Sequence, residues 1–174
     1  SDISLRRKDV DSLRQAAAVF DATQEGVLVT DAQQHIVHCN PAFTRITGYS
    51  QAEILGQSPS MLKSGRHDKT FYDSLWNALQ NRGAWSGEVW NRRKSGEIYP
   101  QWQCIRVIHD ELGEISHYVA VFSDISALKR SQRELDYLAH HDPLSNLPNR
   151  LLFTERVERA LERAKIDEQG GAVL

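Results

Sequence analysis

The sequence predicts an α+β fold: an antiparallel sheet of about five strands with helices on one face, flanked by an N-terminal amphipathic helix and a C-terminal helix. Three observations predict it. Two short β-branched runs come first, then a series of capped helical segments, then three strand-like runs joined by tight turns. The segments at either end instead repeat their apolar residues at helical spacing.

Val10, Leu13, Ala17 and Phe20 put one apolar stripe on the segment from Asp9 to about Ala22, so residues 1–22 read as an N-terminal amphipathic helix. Val27–Asp31 and His35–Cys39, separated by Ala32-Gln33-Gln34, read as a hairpin, although no Asn-Gly or Asp-Gly turn marks it. Asn40-Pro41 then opens a helix, the asparagine as cap and the proline at the first helical position. Gly48 closes it, with Phe43, Ile46 and Thr47 inside. Ser50-Gln51-Ala52-Glu53 is a capping box for a short helix that ends at Gly56. Pro59–Lys69 is irregular. Phe71, Leu75, Trp76 and Leu79 then line one face of a helix from about Asp68 to Arg82, with Gly83 as its C-terminal cap. Gly87–Arg93, Ile98–His109 and Ile115–Asp124 complete the sheet. Their connections, Lys94-Ser95-Gly96 and Asp110-Glu111-Leu112-Gly113, are short, so consecutive strands are expected to pair antiparallel.

The last strand runs straight into a second helical stretch. Leu128, Leu135 and Leu138 fall at i, i+7 and i+10, the seam of a coiled coil, with Lys129, Arg130, Arg133, Glu134 and Asp136 outside. Asp124 or Ser126 supplies the N-terminal cap, and Pro143 stops the helix near His141–Asp142. So narrow a seam cannot bury itself. It pairs with a copy of itself or lies on a neighbouring domain. The same holds for the N-terminal stripe, and a two-fold homodimer is the expected partner. Ser131, at a seam position, weakens the pairing there, as suits an element with two arrangements of similar energy.

The formal net charge of −2 gives no electrostatic case for nucleic acid. The basic runs Arg6-Arg7-Lys8 and Arg92-Arg93-Lys94 read as solvated faces. Cys39 and Cys104, each in an apolar run, are expected to be buried, reduced thiols. No stretch approaches the ~20 apolar residues of a membrane span, so no membrane contact is expected of these residues. Without an initiator methionine, and ending at Leu174 where a strand is expected to begin, the chain reads as a cytoplasmic piece of a longer protein whose other parts are free to cross a membrane.

The runs EGVLVTDAQQHIVHCNPAFTRITGYSQAEILGQ, WSGEVWNRRKSGEIYPQ and VAVFSDIS, in this order and spacing, resemble the PAS sensor domains from about Val19 to Ser126. HDPLSNLPNRLLFTERVERAL separately resembles the opening of a GGDEF domain, the fold of diguanylate cyclases, with Asp142, Leu144, Ser145, Asn149 and Arg150 at its motif positions. Ser145 stands where that family usually has threonine, and the Asn146-Leu147-Pro148 variant looks most like members that carry an EAL phosphodiesterase domain behind it. The expected organisation is a helix over 1–22, a PAS domain over 23–126, a coiled-coil linker helix over 127–141 and the truncated start of a GGDEF domain over 142–174. Asn149 is expected to cap a helix whose apolar face is Phe153, Val157, Ala160, Leu161 and Ala164. Leu151–Leu174 is expected to be mobile or to dock on another chain. The resembled family's signature loop, metal-binding carboxylates and guanine contacts lie beyond Leu174, so no cyclase activity is expected of this piece. The longer protein is expected to be a diguanylate cyclase, a cyclic di-GMP phosphodiesterase, or both.

PAS domains hold flavins, haem, small acids or nothing in the cavity between sheet and helices. In the resemblance to the light-sensing LOV branch, Asn91 and Gln101 align with polar residues that contact an isoalloxazine ring. Pro59 stands at the photoreactive cysteine and Phe122 at the flavin-sensing glutamine, which speaks against LOV-type FMN photochemistry. The segments Trp85-Ser86-Gly87 and Asn91-Arg92-Arg93-Lys94 resemble redox-sensing members that bind FAD, which keeps FAD open. Haem is disfavoured, because the long helix offers no histidine over Phe71–Arg82 and His67 reads as a solvent-exposed loop residue. His35 and His38 lie on opposite strand faces, and His140 and His141 are adjacent, so no metal site is expected. For a small-molecule ligand, Trp76, Trp90 and Trp102 are candidate walls, with Arg106 or Gln103 as polar anchor. The same aromatics also read as plain core.

The resemblance implies an input and dimerisation module of a cyclic di-GMP signalling protein. Asp124-Ile125-Ser126 is its expected lever, with Asp124 paired to a basic group and Ile125 buried. Two other readings stay open: a ligand-free dimerisation scaffold, and the input of a histidine kinase or chemoreceptor.

Overall fold

The computed structural model describes residues 2–141, 144–145 and 150–171. The chain divides into two compact units, Ser1–Ser126 and Ala127–Leu174, each described here by itself.

In the first unit the helix α1 (Asp2–Ala22) leads into strand β1 (Gly26–Asp31) and strand β2 (Ile36–Cys39). Helices α2 (Pro41–Thr47) and α3 (Gln51–Ile54), a 3₁₀ turn over Pro59–Leu62 and helix α4 (Lys69–Arg82) follow. Strands β3 (Ala84–Arg92), β4 (Ile98–His109) and β5 (Ile115–Asp124) complete a five-stranded antiparallel sheet in the order β2-β1-β5-β4-β3. Consecutive pairing explains β1–β2, β3–β4 and β4–β5. The pairing of β1 with β5, in which Leu28 faces Ala120, joins the two halves and makes the last strand the middle of the sheet.

The caps form as their chemistry dictates. Asn40 Oδ1 accepts from the Phe43 N–H, Ser50 and Glu53 close their capping box, and Asp68 caps α4. Gly48 and Gly83 end α2 and α4 in the left-handed conformation, at φ 80° and 70°. The core is built from Leu28, Ile36, Cys39, Phe43, Ile54, Leu62, Ala120 and Phe122, between the inner sheet face and the short helices. Phe43 meets Phe122 edge to face at 5.8 Å.

Several expectations are corrected. Cys104 is exposed, because alternation along β4 turns it to the outer sheet face; only Cys39 is buried. The run Arg92-Arg93-Lys94 is a solvated face only in part: Arg92 and Lys94 are exposed, but all three side chains are engaged. Arg92 donates to the Ser64 and Gly96 carbonyls, Lys94 pairs with Glu53, and the Arg93 side chain is only 17% exposed. The stretch after Pro59 contains a 3₁₀ turn, and α1 begins at Asp2, well before Asp9. Val10 and Leu13 are exposed, as is Ala17, while Phe20 is half-buried.

In the second unit α5 runs Ser126–His140 and α6 runs Arg150–Gly171. Leu128, Leu135 and Leu138 are exposed along α5, so the seam is uncovered within this chain. Leu144 and Ser145 lie in an exposed turn, and Arg150 is exposed at the start of α6. Asp142 and the capping role expected of Asn149 lie outside the described residues. Phe153, Val157 and Leu161 are exposed on α6. Among the described residues no helix is long and apolar enough to cross a membrane, and no cluster of three or more His, Cys, Asp or Glu could hold a metal ion.

Candidate functional site

A cavity of about 160 Å³ lies between the inner sheet face, the 3₁₀ turn and α4. Its walls are mostly apolar: Leu28, Ala120 and Phe122 from the sheet centre, Val89 and Ile105 from β3 and β4, and Leu75, Trp76 and Leu79 from α4. A polar row crosses this surface. Asn91, Gln101 and Gln103 reach it from β3 and β4, because inward residues alternate along a strand and 101 and 103 share a parity. Exposed Gln34, Ser60 and Lys63 also line it. Lys63 places its ammonium 4.0 Å above the Tyr72 ring and is the one charged residue lining the cavity among the described residues.

Of the residues singled out from sequence, the fold brings Asn91, Gln101, Trp76 and Gln103 together around the cavity. Trp90, Trp102 and Arg106 do not line it. Trp102 and Arg106 have the opposite parity on β4 and point outward, and Trp102 is 49% exposed. Trp90 shares the outer face of β3 with Glu88, to which its indole N–H donates at 3.0 Å, while the Arg66 guanidinium stacks on it at 3.8 Å. No His, Cys or Met lines the cavity among the described residues, and Pro59 and Phe122 both do. The cavity thus offers neither a thiol for an adduct nor the usual haem ligands. The carboxamides of Asn91, Gln101 and Gln103 do suit a flat ligand with amide-like edges.

His67 is a correction. Far from being a free loop residue, it accepts the Trp90 backbone N–H on Nε2 at 2.9 Å and stacks on Phe71 at 3.9 Å. Burial and the neighbouring Arg66 push its pKa below the ordinary histidine value. With Ser64 Oγ donating to the Trp90 carbonyl, it ties the loop over the free edge of β3.

The exit from the sheet is held by an ion pair. Arg93 Nη2 donates to Asp124 Oδ2 at 2.5 Å, and Asp124 Oδ1 accepts from the Ser126 N–H at 2.9 Å and its hydroxyl at 2.5 Å. Burial works against the charged form of Asp124. The hydrogen bonds from Ser126 and Arg93 outweigh it and hold the carboxyl below its ordinary value. Arg93 also donates to the Ile46 carbonyl and to Glu97, and its guanidinium lies 3.8 Å over the Tyr99 ring. Ile125, expected to be buried, is half-buried, and its N–H donates to the Pro100 carbonyl at 3.1 Å. Tyr99 was missed from sequence, while Arg93 and His67 were read there only as part of a solvated basic run and as a solvent-exposed loop residue. Tyr99 had one signal, its place two residues before Gln101 on the same strand face.

Residues 24–127 match the family model of the PAS domain. The chain is 32% identical over 137 residues to the nitrogen fixation regulatory protein of Klebsiella oxytoca, a match that covers 78% of this chain and 28% of that protein. It is 28% identical to the aerotaxis receptor of Escherichia coli (strain K12), covering 76% and 24% respectively. The chain thus spans about a quarter of the length of these relatives. The crystal structure of the PAS domain of a Colwellia psychrerythraea protein matches with a TM-score of 0.63 at 27% identity, covering 66% of this chain and 98% of that one. With its sheet order, its cavity and a family match over more than half its length, this chain belongs to the PAS domain family and is a sensory domain.

Proposed function

We propose that this domain is a dimeric sensory input whose cavity takes a small planar ligand and whose state leaves through β5, Asp124 and α5. The observation that carries this reading is the joint of Arg93, Asp124 and Ser126, where the central strand of the sheet becomes the exit helix. A shift of β5 moves the cap of α5 directly, with no loop between them to absorb it. The exposed leucines of α5 and the stripe on α1 support a two-fold homodimer. FAD is one ligand that suits the carboxamide row, which would orient the ring edge, while the flavin itself would supply redox chemistry.

The output is cyclic di-GMP synthesis or hydrolysis in domains that begin at Asp142. The support for this is the resemblance of residues 142–150 and the following Leu-Phe-x-Glu-Arg to the opening of a GGDEF domain. The second reading, the input of another receptor or kinase, is favoured by the relatives themselves, which are named as a nitrogen fixation regulator and an aerotaxis receptor. The full-length protein decides. Turnover of GTP or of cyclic di-GMP, altered by Asp124→Ala, is expected. Nucleotide-independent signalling or autophosphorylation from ATP favours the second reading. Output of either kind that ignores Asp124→Ala sinks the lever. An absorbance spectrum and mass spectrometry of the denatured protein, together with light scattering for the dimer, test ligand and assembly separately.

A further inference from the structure

Tyr99, Gln101 and Gln103 stand on one face of β4 and form a hydrogen-bonded row with a direction. The Tyr99 hydroxyl donates to Gln101 Oε1 at 2.8 Å, and Gln101 Nε2 donates to Gln103 Oε1 at 2.6 Å. Gln103 lines the cavity with its oxygen engaged, so its amide nitrogen is left to meet a ligand. At the other end, the Tyr99 ring lies 3.8 Å under the guanidinium of Arg93, whose Nη2 holds Asp124. Tyr99 is 1% exposed, and burial pushes its hydroxyl far above the ordinary tyrosine value, so it stays protonated.

We propose that Tyr99 is a positioning residue that couples the cavity to the Arg93–Asp124 pair, so that the edge chemistry of the ligand is read at Ser126. A ligand that presents a carbonyl or ring nitrogen to Gln103 leaves the row as it stands. One that presents an N–H turns Gln103 to offer its oxygen, and Gln101 must then turn as well. The Tyr99 hydroxyl would then face an amide NH₂ and lose its acceptor, a costly state for a buried donor. The ring relieves it only by moving, and the charged group stacked on that ring is Arg93. Acceptor-edged and donor-edged ligands therefore select different positions of the same exit joint.

This rests on reading Asp124 as the lever, yet it is tested in the chain itself. Hydrogen exchange and the amide resonance of Ser126 are followed by NMR in the Gln103→Leu, Tyr99→Phe and doubly substituted chains. Tyr99→Phe keeps the buried ring and its stack on Arg93 and removes only the hydroxyl. Gln103→Leu is expected to change Ser126 exchange by roughly threefold or more in the otherwise unaltered chain, and to change nothing further once the hydroxyl is gone. Equal effects in both backgrounds, or none in either, overturn the coupling. A second readout uses Gln103→Leu alone: the Tyr99 ring and Arg93 Nε resonances should both shift, and the proposal falls if neither does. Failure here leaves the Asp124→Ala result in the full-length protein standing, so the two readings fail separately.

Discussion

The carboxamide nitrogen of Asn40 donates to the Phe20 carbonyl at 3.0 Å, and this bond ties the end of α1 to the cap of α2. The same nitrogen donates to the Glu25 carbonyl at 2.9 Å, while Oδ1 accepts from the N–H groups of Val27 and Phe43 at 2.8 and 3.0 Å. All four hydrogen-bonding positions of a side chain only 1% exposed are filled. One residue thus joins helix, strand and cap.

Asn40→Asp separates the two halves of that role. It keeps both acceptor bonds but turns an oxygen toward two carbonyl oxygens. A loss of roughly 2–4 kcal/mol is expected in denaturant unfolding, comparable to that of Asn40→Ala, which loses all four bonds. An aspartate variant as stable as the parent would show that the cap alone matters.

Gly26 pairs with Phe122 across β1 and β5, and a Cβ built on Gly26 would stand 2.4 Å from the tip of the Phe122 ring. Phe122 is only 3% exposed and meets Phe43 edge to face, so the ring can yield only toward the cavity, at the expense of that contact. Gly26→Ala should therefore destabilise by about 1–3 kcal/mol. Adding Phe122→Leu should recover much of that loss. A double variant that is simply the sum of the two singles would refute the clash.

His67 accepts the Trp90 N–H only while its ring is neutral. Its folded pKa lies below the ordinary value because of burial and Arg66, with Glu88 and Asp68 opposing. The unfolded chain therefore takes up the proton first as pH falls. The contribution to stability is whole above about pH 6.5 and is lost below it. Thermal melts between pH 7 and 5 should show this decline and should lose it in His67→Gln, whose side-chain oxygen can accept the same N–H. An identical pH slope in the two proteins would count against it.

Sequence alone makes the punctuation of this fold legible. Asn40-Pro41, Ser50 to Glu53, Asp68 and Gly83 act within a few residues of themselves, and their elements end where those residues demand. The strands β4 and β5 were bounded by composition in the same way. The inward face of β4 was not legible. That strand carries large apolar residues on both parities, Tyr99 and Ile105 on one and Trp102 and Ile108 on the other. Only the order of strands and the position of the helices decide which parity meets the cavity. The joint at Asp124 was half legible: its need for a basic partner follows from a carboxylate at a strand end. That the partner is Arg93 depends on how the β3–β4 turn folds back, which no local pattern encodes.

Asp124 and Arg93 also make a test in acid. Hydrogen bonds from Ser126 and Arg93 hold the folded carboxyl below its ordinary value against the pull of burial, so the unfolded chain is protonated first, near pH 4. The pair's contribution is therefore complete above that pH and disappears as pH falls through the folded value. Asp124→Asn keeps an oxygen for the Ser126 N–H and removes the charge. Because both side chains are partly exposed, at 27% and 17%, the variant should be less stable at pH 7 by only roughly 1–2 kcal/mol. Glu53, held down to about 2 by Lys94 and Ser50, also loses its contribution as the pH falls from its ordinary value, so the quantity to follow is the difference between the two proteins. That difference should narrow between pH 5 and 3 in thermal melts. If it stays constant over that range, the charge on Asp124 contributes nothing to the joint, and α5 is held by its cap alone.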